Sequence, residues 1–176
     1  MVVVLFLLLS CSTTEHEHVD AIVNRMEIPS LHTLEVNTVI SDSGITRYRI
    51  KAPQWDIYDR ISSPFWEFPY GIHVERFDEM LNVDANIHGD YARFLEQEQI
   101  WHLKGNVRAT NIRGELFETE ELFWNQRTER IYSDSLIKIT QESFIIIGIG
   151  FDSNQDMTEY VLRNTQAVIP VEDEEL

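Results

Sequence analysis

Apolar and polar side chains alternate along the chain from residue 35 onward, most densely within residues 100–151. Every second position is apolar in residues 101–104 (Trp-His-Leu-Lys), 107–110 (Val-Arg-Ala-Thr) and 137–140 (Ile-Lys-Ile-Thr). Residues 81–88 alternate in the same way over their full length. A period of two places apolar side chains on one face of a strand and polar ones on the other. The pattern therefore predicts short antiparallel strands, each with one solvated face.

Turn-forming residues separate the alternating runs. They occur at residues 104–106, 113–115, 125–127 and 133–135, where Gly, Asn, Ser and Asp cluster. Gly and Asn tolerate the positive φ that tight turns require. A further turn at 41–44 separates strands predicted at 36–40 and 45–52. The last predicted strand covers 159–169 and is stopped by Pro170.

The alternating runs also repeat at intervals of about thirty residues. Residues 101–107 are followed by similar runs at 131–137 and 160–167, and 66–72 lies thirty-five residues upstream. We interpret each unit as a strand, a turn and a second strand, because such spacings mark stacked supersecondary units with one shared core. The repeats predict a single elongated β domain over 35–169, either a jelly roll or a short β solenoid.

The charge balance excludes some partners. Of 176 residues, 30 are acidic and 14 are basic, which gives a net charge of −16. Nucleic acid and anionic lipid head groups both require a basic surface, so neither is an expected partner. If a lipid is the ligand, its acyl chains must supply most of the attraction.

The N-terminal residues predict a lipid anchor. Residues 1–10 are apolar but too short to span a bilayer, since a helix of that length rises only about 15 Å. They are typical of the apolar core of a signal peptide. Residues 8–11 (Leu-Leu-Ser-Cys) are similar to a bacterial lipobox, although no Lys or Arg precedes the apolar run and Leu9 is bulkier than usual. We expect Cys11 to be lipidated; the alternative is an ordinary buried thiol.

Residues 11–34 are predicted to form a tether with a short helix, and residues 170–176 a disordered acidic tail. The apolar positions Val19, Ile22, Val23 and Met26 fit one face of that helix. His16 and His18 are a weak metal-site candidate, because nothing near them in sequence completes a coordination shell.

Motifs of known enzymes are missing from the sequence. There is no Gly-x-Ser-x-Gly elbow, no His-Glu-x-x-His and no Gly-rich phosphate loop. Asp84, Asp90 and Glu118 could be paired as hydrolase carboxylates in some arrangement, but acidic residues are too abundant for this to favour an enzyme. We expect no enzymatic activity, no cofactor and no metal.

Several stretches in a fixed order resemble the LptC family, the membrane-anchored periplasmic proteins of lipopolysaccharide export. The stretches are 48–52 (Tyr-Arg-Ile-Lys-Ala), 101–107 (Trp-His-Leu-Lys-Gly-Asn-Val), 116–124 (Leu-Phe-Glu-Thr-Glu-Glu-Leu-Phe-Trp), 131–134 (Ile-Tyr-Ser-Asp) and 146–151 (Ile-Ile-Gly-Ile-Gly-Phe). The resemblance covers roughly 36–168. It implies an all-β fold, a twisted, open antiparallel β-jellyroll of the OstA-like type with an apolar trough. Many members of the family carry an N-terminal transmembrane helix, whereas Cys11 favours a lipid anchor here.

The resemblance also implies a function. Such a protein receives lipopolysaccharide from an inner-membrane ABC transporter and passes it to a periplasmic bridge protein of like fold. The residues expected to line a trough for acyl chains are Trp101, Leu103, Val107, Ala109, Phe117, Leu122, Trp124, Ile137 and Ile139. The edge expected to dock the bridge protein comprises Tyr160, Val161, Leu162 and Ala167, on the last strand.

Three alternatives remain open from the residues alone. The trough residues could instead form a closed core, because lining and core use the same residue types. The protein could be a surface-exposed lipoprotein β sandwich that binds glycan or protein, which an aromatic row on the outer face would favour. It could also be an extracytoplasmic hydrolase, which would need a polar cleft with a perturbed carboxylate.

Overall fold

The protein is an antiparallel β structure. The computed structural model describes residues 28–42 and 44–171. Within these ranges no helix is long and apolar enough to cross a membrane. One sheet contains all the strands: β1 Leu31–Asp42, β2 Ile45–Tyr58, β3 Phe65–Phe68, β4 Ile72–Phe77, β5 Val83–Gly89, β6 Tyr91–Leu95, β7 Ile100–Thr110, β8 Leu116–Asn125, β9 Arg130–Thr140, β10 Phe144–Asn154 and β11 Tyr160–Pro170.

The sheet is a meander folded into two layers. In the first layer, the second half of β2 pairs with β3, β3 with β6, and β6 with the first half of β7. In the second layer, the first half of β2 pairs with β4, β4 with β5, and β5 with the second half of β7. Strands β3 and β4 are therefore two halves of one arm of the meander, and β5 and β6 are two halves of the next. The other strands cross from one layer to the other without a break.

The long strands bend where the two layers join, and their register shifts there. Between β7 and β8 the shift lies between Lys104 and Val107, and between β9 and β10 it lies between Ile149 and Phe151. Gly105, Asn106 and Gly150 have φ of 71°, 45° and 78°. The extra residue lies on β7 at the first shift and on β9, opposite Gly150, at the second. Such a bulge bends a strand and increases its twist without ending it. The bends therefore fold one sheet over on itself.

These bends correct part of the turn prediction. Residues 104–106 and 133–135 were expected to reverse the chain, but both lie inside continuous strands, β7 and β9. The turns predicted at 113–115 and 125–127 are confirmed, since β7–β8 and β8–β9 are joined there. The runs at 101–107, 131–137 and 160–167 each lie in one bent strand, so their thirty-residue spacing is the length of a hairpin of two such strands. Residues 66–72 span the end of β3, a turn and the start of β4, as predicted. Antiparallel pairing throughout excludes the solenoid and confirms the all-β jelly-roll-like prediction.

The N-terminal boundary also differs from the expectation. Strand β1 begins at Leu31, because its first residues pair with β2 from Gln54 onward, beyond Pro53. Leu81 lies in a turn with φ of 64°, so the strand predicted from residue 81 begins at Val83. Cys11, the predicted helix at Val19–Met26, the histidines at 16 and 18 and the tail from 172 lie outside the described residues.

The core lies between the layers. Apolar side chains at alternate positions point inward from both layers, so that Phe117 of the second layer contacts Phe151 of the first at 5.6 Å between ring centroids. Both rings are 2% exposed or less. Their burial contributes about 2–3 kcal/mol each.

Candidate functional site

All nine residues expected to line the interior face it. Eight of them are buried, and Trp124 is half-buried against them. On β7 the inward residues are Trp101, Leu103, Val107 and Ala109. The register between β7 and β8 shifts by one residue at the bend, so the inward side chains stay at odd positions on β7 but change on β8 from Phe117 to Leu122 and Trp124. Whether these residues bind lipid stays a prediction.

One end of the interior is packed with aromatic rings. Neighbouring rings of this cluster lie 4.8 to 6.3 Å apart, in stacked, tilted and edge-to-face arrangements. The cluster comprises Trp55, Trp66, Phe68, Phe94 and Trp101. Such pairs contribute about 0.5–1.5 kcal/mol each beyond their burial. The cluster therefore holds β2, β3, β6 and β7 together in the first layer.

Two adjoining cavities remain between the layers. One has a volume of about 200 Å³ and the other about 110 Å³. Their walls share Tyr48, Val74, Ile87 and Trp124. The Tyr48 and Trp124 rings approach to 6.0 Å although they come from opposite layers. The interior is thus a packed core with apolar space in its middle.

The wall residues that the two cavities share are uncharged, whereas the smaller cavity is also lined by Arg76 and Asp156. Burial, the largest cause, raises the pKa of the Tyr48 phenol above its ordinary value, so the side chain stays neutral.

Sequence reasoning missed the wall residues Val74 and Ile87, although Ile87 belongs to the alternating run at 81–88. Tyr48 and Ile50 belong to the strand predicted at 45–52 but were not assigned to the site.

A turn closes the interior at one side. The β10–β11 turn belongs to the first layer, and its Met157 side chain is buried between the layers at 4% exposure. The side-chain amide of Asn111, in the second layer, donates a hydrogen bond to the Met157 carbonyl at 2.8 Å. Arg76 of β4 is ion-paired with Asp156 of the same turn. A few polar contacts therefore join the layers there.

Two strand edges are free within the described part of the chain. Strand β1 pairs only with β2, and β11 pairs only with β10. On β11, Tyr160 and Leu162 pack against the core, Ala167 is half-buried, and Val161 is 64% exposed. An edge strand presents unpaired N–H and C=O groups that can pair with another strand. The apolar interior extends from one free edge to the other.

A comparison with protein families decides the identity. The family model described as "Lipopolysaccharide-assembly, LptC-related" matches residues 1–168. The chain belongs to the LptC family. Among curated proteins, none matches it. Membership places the protein in lipopolysaccharide transport in the periplasm, as a transport component of a family not known for enzymes.

The outer face carries an aromatic row, a feature that would favour the glycan-binding alternative. His102, Phe123 and Tyr132 stack across β7, β8 and β9 with centroids 4.2 and 5.1 Å apart. Phe123 is covered on both faces by its neighbours. A sugar ring stacks on a free aromatic face, so this row holds the strands together and gives little support to glycan binding.

The three carboxylates considered for a hydrolase are not brought together. Asp84 is ion-paired with Arg76 at 2.8 Å, and Glu118 with the lysine of the neighbouring strand at 3.1 Å. Asp90 accepts a hydrogen bond from Asn106 at 2.6 Å. Each carboxylate is held by its own local partner, so the arrangement does not support paired acid–base chemistry.

Proposed function

We propose that this protein is the membrane-anchored periplasmic component that receives lipopolysaccharide from the inner-membrane ABC transporter. It passes the lipid to a periplasmic bridge protein and shields the acyl chains between its two layers. The observation that carries the proposal is an apolar interior that runs between two free strand edges. Family membership supports it independently.

The physical need for shielding is large. Exposing acyl chains to water costs about 0.8 kcal/mol for each CH₂ group, which amounts to tens of kcal/mol for a lipid with several chains. A surface with a net charge of −16 does not attract the anionic head groups of such lipids. Burial of the chains is therefore the main source of affinity in this proposal.

The layers must separate to load a lipid. A cavity of about 150 Å³ accommodates a molecule the size of benzene, so the cavity of about 200 Å³ holds only a short part of one chain. Only a few polar contacts link the β10–β11 turn to the opposite layer, whereas backbone hydrogen bonds along every strand hold each layer together. Opening at this turn would leave the sheet intact and widen the interior.

The free edges fit transfer between like folds. Strand β11 would pair with an edge strand of the bridge protein and extend both sheets, which aligns the two interiors. Strand β1, which follows the predicted anchor in the chain, would face the transporter. In this arrangement a lipid passes along the interior from β1 toward β11 without entering water.

Photocrosslinking in cells tests the proposal with a matched pair of positions. A photoreactive residue at Trp124 should capture lipopolysaccharide, because this side chain lines both cavities. The same residue at Phe123, on the outer face of the same strand, should capture at most about a tenth as much. Adducts are detected as lipopolysaccharide-positive species after immunoprecipitation. Equal capture at both positions would reject an interior path.

The anchor gives a separate prediction. Cys11→Ala should yield a precursor that incorporates no fatty acid, because the lipobox-like residues 8–11 would lose their only acylated atom. Metabolic labelling with an alkyne fatty acid measures this, with Ser12→Ala as the matched control. Unchanged labelling of the Cys11 variant would reject the lipid anchor.

A further inference from the structure

The turns that end the two layers differ in polarity. Four turns end the second layer, and each has a large apolar side chain at or beside it that is 46% to 81% exposed. These side chains are Ile45 at β1–β2, Met80 and Leu81 at β4–β5, Ile112 at β7–β8 and Phe144 at β9–β10. Among the described residues, the turns that end the first layer, 59–64, 96–99, 126–129 and 155–159, expose no large apolar side chain. Apolar exposure at the turns is therefore confined to one layer.

The β4–β5 turn is the most exposed of these apolar turns. Met80 is 81% exposed, and Leu81 has φ of 64°, a left-handed conformation that is unfavourable for a leucine. The Asp78 carboxylate fixes the turn by accepting hydrogen bonds from the backbone N–H groups of Met80 and Asn82, both at 2.8 Å. Gly or Asn would suit this conformation better, and a polar side chain would suit the exposure better. Stability therefore does not account for a leucine at this position.

Two neighbouring turns bring four apolar side chains to one corner of the domain. Hairpins β1–β2 and β4–β5 are adjacent in the sheet, because β2 pairs with β4. Strands lie about 4.8 Å apart, so the two turns are separated by about 10 Å. The side chains that we call the apolar corner are Ile45, Met80, Leu81 and Val83, all 46% exposed or more. Grouped apolar side chains of this kind mark an interaction surface.

The apolar corner lies on the side of the sheet nearest the predicted anchor. Strand β1, which forms this side, follows the anchor in the chain. Residues 12–27, which connect Cys11 to the described part of the chain, span up to roughly 55 Å when extended. Strand β1 has 12 residues and is about 40 Å long. The connection is therefore long enough for the apolar corner to reach the membrane that holds the anchor.

Separate side chains on turns fit a lipid surface better than a protein surface. A protein partner requires a closely packed, complementary patch, whereas the interfacial zone of a bilayer accepts apolar side chains one by one. We propose that the apolar corner inserts into the surface of the anchoring membrane, among zwitterionic lipid head groups. Asp78 and Glu79 precede Met80, and with the net charge of −16 they disfavour anionic lipid.

Insertion at this corner also sets the direction of the domain. Strand β11 lies at the opposite end of the sheet order from β2 and β4. Contact at the β1–β2 and β4–β5 turns alone would leave β11 pointing away from the membrane. The inference goes beyond the proposed function, because it requires no lipid between the layers.

Quenching by labelled lipids measures this insertion on the full chain. An environment-sensitive fluorescent amino acid replaces Glu79, beside Met80, and the anchored protein is placed in phosphatidylcholine vesicles that contain nitroxide-labelled lipids. The matched position is Glu98, an exposed glutamate in the β6–β7 turn of the first layer. Lipid quenching at position 79 should be at least about threefold that at position 98, because interfacial apolar groups enter the head-group boundary by about 5–10 Å. Vesicles rich in phosphatidylglycerol should reduce quenching at position 79, because they repel Asp78.

A double variant tests the side chains themselves. Met80→Ser with Leu81→Asn keeps the turn, because Asn tolerates a positive φ. The ratio of inserted to free turn, read from quenching at position 79, should fall about tenfold when both apolar side chains are lost. Thermal melts should show no loss of stability, since both side chains are exposed. Ile112→Ser, in a turn farther along the second layer, is the matched control and should leave the quenching unchanged.

The results that overturn the inference differ from one another. Equal quenching at positions 79 and 98, or none at either, would show that the apolar corner has no preference for lipid. A probe at position 79 that is exposed in pure lipid vesicles but shielded in native membranes would assign the corner to a membrane protein instead. A chain that does not bind vesicles would overturn the inference together with the predicted anchor. Lipopolysaccharide capture at Trp124 is a separate measurement, so none of these results decides the proposed function.

Discussion

Ile137→Asp should destabilise the domain by about 4 kcal/mol or more, a large part of the stability of a typical domain. Ile137 is fully buried on β9, between the layers. Removing a buried isoleucine costs about 2–5 kcal/mol, and a carboxylate without a partner adds a further penalty. Urea unfolding followed by circular dichroism measures the change.

The adjacent residue provides the control. Leu136 lies on the outer face of the same strand and is 55% exposed. Leu136→Asp should therefore cost about 1 kcal/mol or less, in line with a strand-propensity change at the surface. A similar loss of unfolding free energy at both positions would mean that the two faces of β9 do not differ in burial. That result would contradict the two-layer arrangement.

Prolines on β11 should abolish binding to the bridge protein. Asn164 and Thr165 are both exposed and lie midway along the free strand. In an antiparallel strand the backbone groups of successive residues alternate between the two sides, so one of the two N–H groups points away from β10. Proline at that position removes a docking donor and should weaken binding at least about tenfold.

Asn164→Ala and Thr165→Ala are the matched controls, because they keep the backbone donors and should retain the bridge protein. Circular dichroism and thermal melts identify which proline variant keeps the fold, and a pull-down with the purified bridge protein measures binding. If both proline variants are folded and bind at wild-type affinity, β11 is not the docking edge. The free edge of β1 then becomes the candidate.

The strands could be predicted because alternation is a local property of the sequence. Residues 137–140 alternate, and the structure places them in β9 with the predicted face buried. The bends could not be predicted in the same way. Gly105 and Asn106 have positive φ, which a tight turn and a bulge both use. Only pairing with distant strands decides whether the chain reverses there.

The cavities depend on contacts that sequence periodicity does not encode. Tyr48 and Trp124 meet across the interior from β2 and β8, which are far apart in the chain. The unpaired N–H of Trp101 is likewise a property of what surrounds the ring after folding. The inward face of each strand was therefore accessible from the sequence, whereas the shape and polarity of the space between the faces were not.

The most direct test of an interior lipid path is a measurement of nuclear Overhauser effects between lipid and protein. The protein is perdeuterated except for its Ile, Leu and Val methyl groups and is loaded with lipopolysaccharide. We expect contacts from acyl-chain protons to the methyl groups of Ile50, Ile87 and Leu103, which line the cavities. The exposed methyl groups of Leu136 and Val161 should show none. Contacts confined to the exposed methyl groups would contradict an interior path for the lipid.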